Sequence, residues 1–168
     1  ASFKIIQVAV LGFGSGSIPK IKSSLFRKSL KLLVMSVHPT MTSATLGASD
    51  HPGTGIDVHV TGEMHLDRSE IASSSFGDGQ AGDLKITAGS LELAGDAVSF
   101  VNANIGSRAF AAGDAGDLEL NTGQLTIRNN AFINSNTLGS GRGGDIAITS
   151  GSLEVLGEDG IAFVSTLS

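Results

Sequence analysis

The sequence has no cysteine, no tryptophan, no tyrosine and only three prolines in 168 residues. The absence of cysteine excludes disulfides, thiolate metal ligands and thiol nucleophiles. The absence of tryptophan and tyrosine removes the aromatic side chains that most often form platforms for sugars. No apolar run reaches the ~20 residues that a membrane-spanning helix needs, so we expect no transmembrane segment. Folding must therefore rest mainly on apolar packing and backbone hydrogen bonds.

Charge of each sign is unevenly distributed along the chain. Residues 1–50 contain six basic residues against Asp50 alone, whereas residues 51–168 contain 5 basic and 15 acidic residues. The acidic part lacks the basic face that a nucleic-acid partner requires, so we expect no nucleic-acid binding. The shift in composition predicts a non-repeat N-terminal segment over residues 1–54 and a second domain over residues 55–168.

Glycine is abundant, with 23 residues, and it marks an internal repeat. Gly82, Gly116 and Gly144 open the similar stretches GDLKITAGSLEL, GDLELNTGQLTI and GDIAITSGSLEV, at spacings of 34 and 28 residues. A weaker copy, IDVHVTGEMHL, begins at Ile56. The repeats span about residues 55–81, 82–115, 116–143 and 144–168.

Each repeat contains three strand-like runs. In the third repeat, alternating runs at residues 118–120 and 125–127 flank a corner at Gly123, and a third run covers residues 131–137. Period-two alternation predicts strands with one buried face, and such a unit buries that face only by stacking on its neighbours. The fold class predicted is all-β, a parallel β-helix (solenoid) of about four coils with an irregular N-terminal cap. The predicted inward columns are Val58/Leu84/Leu118/Ile146, Val60/Ile86/Leu120/Ile148, Met64/Leu91/Leu125/Leu153 and Leu66/Leu93/Ile127/Val155.

The pattern GDLxLxTGxLxIxxxAxIxSxTxGxGxGG of residues 116–144 resembles the repeat of filamentous-haemagglutinin-type exoproteins of two-partner secretion systems. It is most similar to the long, degenerate repeats of cyanobacterial members, over about residues 55–168. The resemblance implies a right-handed β-helix, export across the outer membrane, and a secreted or cell-surface adhesive role. The secretion domain of that family carries an Asn-Pro signature, which this sequence lacks. The sequence thus resembles a fragment without the secretion domain.

The second repeat is six residues longer than the third, and we place this excess near residues 104–113. Loops that interrupt a regular scaffold often carry function. Asn104, Arg108 and Phe110 are therefore the candidate binding residues, and no cofactor is expected.

A column of aspartates is the candidate cation site. Asp57, Asp83, Asp117 and Asp145 are predicted to stack at one corner, where like charges repel unless something compensates them. Their side chains either accept backbone N–H groups in Asx-type turns or hold a cation. The turn role is favoured, because the calcium-binding repeat GGxGxDxUx is not matched.

The four histidines lie close together in the sequence, at positions His38, His51, His59 and His65. A metal site is one interpretation. His59 and His65, however, alternate with apolar residues on what are predicted to be different strands, which favours solvated side chains.

Residues 1–54 contain no copy of the repeat. Residues 3–13 predict one or two buried strands, and the glycines of residues 12–16 predict a turn in preference to a phosphate loop. Residues 24–37 combine helical spacing with a basic cluster, as in a membrane-surface helix or a signal segment. We favour a helix or strand that caps the solenoid. Residues 38–52 are interpreted as a Ser/Thr-rich linker.

The leading hypothesis for function is a structural or adhesive module, not an enzyme, that presents polar columns to a partner such as a host-cell or matrix surface. The alternative is a carbohydrate-active β-helix enzyme, which requires carboxylates paired across a groove. Acids clustered beside Arg108 favour the enzyme, and acids confined to corners favour the module. Apolar residues in the last repeat also predict end-to-end self-association, or further coils in a longer parent chain.

Overall fold

The computed structural model describes residues 9–10, 30–36, 40–45, 53–96, 98, 101–157 and 161–167. Their strands, in chain order, are β1 (Ala9–Val10), β2 (Leu30–Ser36), β3 (Thr40–Thr45), β4 (Ile56–Asp67), β5 (Glu70–Ser75), β6 (Leu84–Ala94), β7 (Ala103–Ala109), β8 (Leu118–Arg128), β9 (Ala131–Thr137), β10 (Ile146–Leu156) and β11 (Ala162–Leu167).

The strands form two parallel sheets. We name the sheets by the length of their strands in the repeats. The short sheet has the order β1-β3-β5-β7-β9-β11, and the long sheet has the order β10-β8-β6-β4-β2. Each strand from β1 to β9 pairs in parallel with the strand two places further along the chain. The described residues therefore form an all-β, solenoid-like stack without a helix, which confirms the prediction of strand-only repeats. Accordingly, none of them lies in a helix that could cross a membrane.

Each repeat contributes one long and one short strand, not three strands. In β6 the buried residues alternate as far as Ala88 and resume, one position out of phase, at Leu91. The two predicted runs are therefore one strand that bends at Gly89. A side chain at this bend is excluded, because its Cβ would lie 2.9 Å from the carbonyl oxygen of Gly62 in the preceding repeat.

The first repeat departs from the predicted register. Ile56 lies opposite Leu84, whereas after the bend Met64 lies opposite Leu91 as predicted. The first repeat has one residue more than the others at its bend, and a register shift between residues 60 and 63 accommodates it. Two predicted pairings, Val58 with Leu84 and Val60 with Ile86, are therefore wrong.

The six-residue excess of the second repeat precedes β7 and does not lie at residues 104–113. Residues 95–102 separate β6 from β7, whereas Asn129 and Asn130 alone separate β8 from β9. Within this longer connection, the Asp96 N–H donates to the Val101 carbonyl at 2.7 Å. Residues 103–109 are a regular strand, so the candidate residues within them belong to the sheet.

The turn from β8 to β9 depends on two asparagines. Asn129 and Asn130 have φ angles of 51° and 60°, in the left-handed region that asparagine enters more readily than most residues. The amide of Asn130 also joins neighbouring repeats, because Nδ2 donates to the Asp96 carbonyl at 3.2 Å and Oδ1 accepts from the Ile161 N–H at 3.1 Å. The Asn-Asn pair therefore both turns the chain and ties successive corners together.

The apolar core lies between the two sheets, where leucines and isoleucines of the long strands meet Ile71, Ile105 and Ile133 of the short strands. The predicted inward residues of the first three repeats are all 6% exposed or less. In the fourth repeat, Leu153 and Val155 are 51% and 46% exposed. The difference arises because β10 has a paired neighbour on only one side in the described part of the chain.

The N-terminal strands extend both sheets beyond the first repeat, since β2 pairs with β4 and β3 pairs with β5. A helix, as the spacing of residues 24–37 suggests, is wrong for the second half of this stretch, because Leu30–Ser36 is a strand. The predicted linker also contains a strand, Thr40–Thr45. Ala9–Val10, within the predicted buried strand, pairs with β3. The glycines of residues 12–16 and the stretch 24–29 lie outside the described residues.

A glycine-rich segment, which we call the return, leads from each short strand to the glycine that opens the next repeat. A column of buried serines anchors these returns. Ser73, Ser107 and Ser135 are register neighbours on the short strands. Each hydroxyl accepts a hydrogen bond of 2.7 to 2.9 Å from the backbone N–H of a glycine nine residues later. Ser135 also donates to the Gly116 carbonyl at 2.9 Å. The glycines concerned, which open the next repeat in each case, are Gly82, Gly116 and Gly144.

Ser107→Ala is expected to lower the free energy of unfolding by ~1–3 kcal/mol, because the buried N–H of Gly116 loses its acceptor. Urea denaturation measures this loss. The matched control is Ser74→Ala, on the outer face of β5, which should change the free energy by less than ~0.5 kcal/mol. Equal losses in the two variants would show that the serine column does not anchor the returns.

Candidate functional site

The three candidate binding residues lie on β7 or directly after it. Asn104, which is 4% exposed, donates from Nδ2 to Oε1 of Glu70 at 3.0 Å. Nη1 of Arg108 lies 3.0 Å from the same carboxylate oxygen. Phe110 follows the strand and is exposed. Glu70 on the neighbouring strand thus brings Asn104 and Arg108 together, whereas Phe110 belongs to a separate aromatic contact.

Two aromatic stacks near these residues were not predicted. The rings of Phe76 and Phe110 are parallel within 2°, with centroids 4.8 Å apart. The rings of Phe132 and Phe163 are tilted by 31°, with centroids 4.5 Å apart. Each stack joins adjacent repeats. The second could have been found from the Ala-Phe dipeptide that opens the short strand in both of its repeats.

Three aspartates form a ladder along one corner. Oδ1 of Asp83 accepts from the Asp117 N–H at 2.9 Å, and Oδ1 of Asp117 accepts from the Asp145 N–H at 2.8 Å. These carboxylates act as backbone acceptors between repeats. Asp57 lies in another column, opposite Lys85, because of the register of the first repeat, so its assignment to the ladder is wrong. Within the described ranges, no group of three His, Asp or Glu residues could hold a metal ion.

The two described histidines lie on the same strand, β4, and not on different strands. His59 is exposed, whereas Nδ1 of His65 lies 2.8 Å from Oε2 of Glu92. The other oxygen of Glu92 accepts from Nε of Arg128 at 2.7 Å. Glu92 therefore links side chains from three successive repeats. The remaining histidines, His38 and His51, lie outside the described residues.

The surroundings of Glu92 favour its ionised form. Partial burial alone would raise the pKa of this carboxyl group. Hydrogen bonding and attraction from Arg128, and then from His65, outweigh the burial, so the pKa lies below its ordinary value of 4.5. A depressed pKa in the folded state stabilises the fold above the ordinary pKa. This contribution is lost as the pH falls through the lowered value.

Glu92→Gln is expected to lower the free energy of unfolding by up to ~1 kcal/mol at neutral pH, as for other partly exposed ion pairs. Because wild-type Glu92 becomes protonated at acidic pH, the difference between the two proteins should shrink as the pH falls below 4.5. Chemical denaturation across this range measures it, with the exposed Glu154→Gln as control. A difference that stays constant with pH would contradict the role assigned to the ion pairs of Glu92.

Three acids of the described residues are bound to groups of neighbouring repeats. Glu70 is bound to Arg108 and Asn104, and Glu119 lies 2.8 Å from Nζ of Lys85. Asp114 accepts from the backbone N–H of Arg142 at 2.7 Å. These acids hold repeats together. Glu70 and Glu119 lie on strands, so the acids are not confined to corners, as we expected for a presentation module.

Comparisons of the chain with protein-family models, with curated proteins and with solved structures found no match. Function is therefore inferred from the geometry of the described residues.

Proposed function

We propose that the chain is a structural or adhesive module of a secreted exoprotein, exposed at the cell surface outside the outer membrane. In this proposal the solenoid is a right-handed parallel β-helix of about four coils. It acts by presentation: stacked repeats form a stiff rod whose outward polar columns contact a host-cell or matrix surface. The repeat pattern of residues 116–144 supports this proposal through its resemblance to filamentous-haemagglutinin-type exoproteins.

The observation that carries the proposal is the fixed, in-register arrangement of outward polar side chains. Lys85 and Glu119 are opposite each other and are joined at 2.8 Å. Arg128 and His65 are both joined to Glu92, on the strand between theirs. Side chains held by their neighbours lose less conformational entropy when they bind a partner. A periodic and ordered polar face is therefore suited to contact with an extended surface.

Adhesion of the folded chain tests the proposal. Beads coated with the wild-type chain should adhere to cells or to extracellular matrix in a flow chamber. Beads coated with Leu120→Asp, which removes the stacked architecture as argued in the Discussion, should adhere less. Equal adhesion of both preparations would contradict presentation by a folded rod.

The end formed by β10 and β11 supports a second part of the proposal, which is association through that end. Ile161, Phe163 and Val164 are 63%, 39% and 38% exposed, beside the exposed Leu153 and Val155. Both strands have paired neighbours on one side only, within the described residues. A sheet edge with unpaired backbone groups and exposed apolar side chains templates further strand pairing. We propose that this end meets another chain or further coils of a parent chain.

The isolated chain is expected to associate as its concentration rises, because apolar side chains at this end become buried against a second copy. Multi-angle light scattering over a hundredfold range of concentration measures the apparent mass. Val155→Lys should reduce the association, since a charge on the terminal strand opposes pairing. A wild-type chain that stays monomeric over the whole range would contradict end-to-end association.

A further inference from the structure

The end of the stack formed by β10 and β11 has an apolar surface that the equivalent strands of the third repeat lack. Within the described residues, each of the two strands has a paired neighbour on one side only. Leu125 and Ile127 on β8 are fully buried, whereas their register partners on β10 are half-exposed. The exposed apolar side chains of this end, with exposed fractions between 38% and 63%, are Leu153, Val155, Ile161, Phe163 and Val164. The pattern of β10 itself indicates which partner covers them.

The apolar residues of β10 are arranged symmetrically about its bend at residues 150–151. The positions that continue the inward-facing columns of β8 are Ile146 and Ile148 before the bend, and Leu153 and Val155 after it. Ile146 and Val155 are equally far from the midpoint of the bend in sequence, and so are Ile148 and Leu153. A two-fold axis through this midpoint therefore exchanges the two halves of the strand and keeps inward positions inward.

A second copy of the chain, rotated about this axis, presents its own β10 in antiparallel orientation. Ile146 then lies opposite Val155 of the second copy, and Ile148 lies opposite Leu153. The outward residues also match, since Ala147 lies opposite Glu154. Glu154 is the single charged residue of β10, so this register places no like charges opposite each other.

The backbone of β10 favours the same register. The carbonyl oxygens of Asp145 and Leu156 accept from backbone N–H groups of the third repeat at 2.8 and 3.3 Å. Backbone groups alternate in direction along a strand, so those of the adjoining residues Ile146 and Val155 face away from the third repeat. Directly opposite each other in antiparallel strands, these two residues exchange both of their hydrogen bonds. The pairing thus satisfies backbone groups of both copies.

The short strand β11 fits the same axis. Its inward residues Ala162, Val164 and Thr166 are the register partners of residues 131, 133 and 135. Val164 is the middle one of the three, and it lies across the core from the bend of β10. An axis that runs from the bend through Val164 reverses β11, so that Ala162 lies opposite Thr166 and Val164 lies opposite its own copy. One two-fold axis therefore relates both sheets.

The size of the surface sets the strength of such a contact. The two strands contribute 11 and 6 residues from each copy, slightly fewer than the ~20–30 residues per partner of a standard interface. We therefore expect a dimer that dissociates on dilution. Because both copies use the same end, the contact closes on itself and leaves no end of this kind for a third copy.

We propose that two copies of the chain associate through the end formed by β10 and β11, about a two-fold axis, with both strands in antiparallel pairing. This inference rests on the association proposed above for that end, and it names the partner and its orientation. The apolar side chains of the terminal repeat become the continuous core of the dimer.

Engineered cysteines test the orientation, because the chain has none of its own. Ala147 and Glu154 are both exposed, so Ala147→Cys and Glu154→Cys should fold. A mixture of the two single variants should form a disulfide-linked dimer under mild oxidation, because opposite residues of antiparallel strands lie ~4.5–5.5 Å apart. Each variant alone should form several-fold less, because the two-fold axis sets its two cysteines seven residues apart along the paired strands, which is beyond the reach of a disulfide.

Light scattering tests the closure of the contact. The apparent mass should level off at twice the monomer mass as the concentration rises, and Leu153→Lys, which places a cation opposite Ile148 of the second copy, should return it to the monomer mass. Growth beyond a dimer, or equal cross-linking in the mixture and in a single variant, would overturn the two-fold pairing and leave association through this end standing. A chain that stays monomeric at every concentration would overturn both. Bead adhesion is measured separately, so each of these outcomes leaves the presentation function to its own test.

Discussion

Leu120→Asp is expected to unfold the stack of repeats. Leu120 is fully buried at the middle of the core, between Ile86 and Ile148 in the register of the long sheet. A carboxylate there would be an unpaired charge in an apolar environment. Such substitutions cost more than ~4 kcal/mol, out of a total stability of about 5–15 kcal/mol for a domain. Circular dichroism during thermal denaturation should show a loss of most of the cooperative transition.

The control for this variant is the neighbouring residue on the opposite face of the same strand. Glu119 points outward and is bound to Lys85, so Glu119→Gln removes an exposed ion pair and should cost no more than ~1 kcal/mol. A charge reversal at this position is a poorer control, because it places a second cation beside Lys85. If both variants lost the same stability, the inward and outward assignment of β8 would be wrong.

Gly116→Ala is the second variant with a large expected effect. A Cβ at this position would overlap the backbone carbonyl of Gly82 in the preceding repeat. Backbone atoms cannot swing aside as a flexible side chain does, so the two repeats must move apart locally. We expect a loss of about 3 kcal/mol, at the upper end of typical overpacking.

The effect of Gly116→Ala is steric, because the alanine retains the N–H that donates to Ser107. Comparison with Ser107→Ala therefore separates close packing of the returns from their anchoring. Ser140→Ala, at an exposed position of the next return, should leave the denaturation midpoint unchanged. A midpoint for Gly116→Ala that matches wild type would contradict the close approach of Gly116 and Gly82.

The columns of the last three repeats could be predicted from the sequence. Leu84, Leu118 and Ile146 each follow a Gly-Asp pair. This shared pair aligns the alternating apolar residues of the three repeats without ambiguity. No Gly-Asp pair precedes the first strand of the first repeat. Alignment from its apolar residues alone gave a register two residues out before the bend, because period-two alternation looks the same after a shift of two.

The site was less predictable than the fold. The six-residue excess was known from the repeat spacing, but spacing does not say which turn of the repeat contains it. The prediction that the excess lies at residues 104–113 is wrong, because residues 103–109 match the regular short strand of residues 131–137. The polar neighbours of Arg108 depend on which strands are adjacent, and the Glu70 contact spans two repeats.

The serine column was missed although its signal was present in the sequence. Ser73, Ser107 and Ser135 each precede a repeat-opening glycine by nine residues. A serine between apolar positions is not by itself distinctive in a strand. The role of these serines is evident only in the structure, where the return passes close enough to the strand for a glycine N–H to need an acceptor.

Cross-linking between strands tests the parallel, in-register stacking of repeats most directly, because the chain has no cysteine of its own. Thr87 and Asn121 lie opposite each other on β6 and β8, at the ~4.8 Å spacing of paired strands, which a disulfide can bridge. Thr87 and Glu119 are offset by two residues, about 8 Å apart, which is beyond that reach. Under mild oxidation, Thr87→Cys/Asn121→Cys should form an intramolecular disulfide in the folded chain, and Thr87→Cys/Glu119→Cys should remain reduced. Preferential cross-linking of the offset pair, or no difference between the pairs, would contradict the stacking.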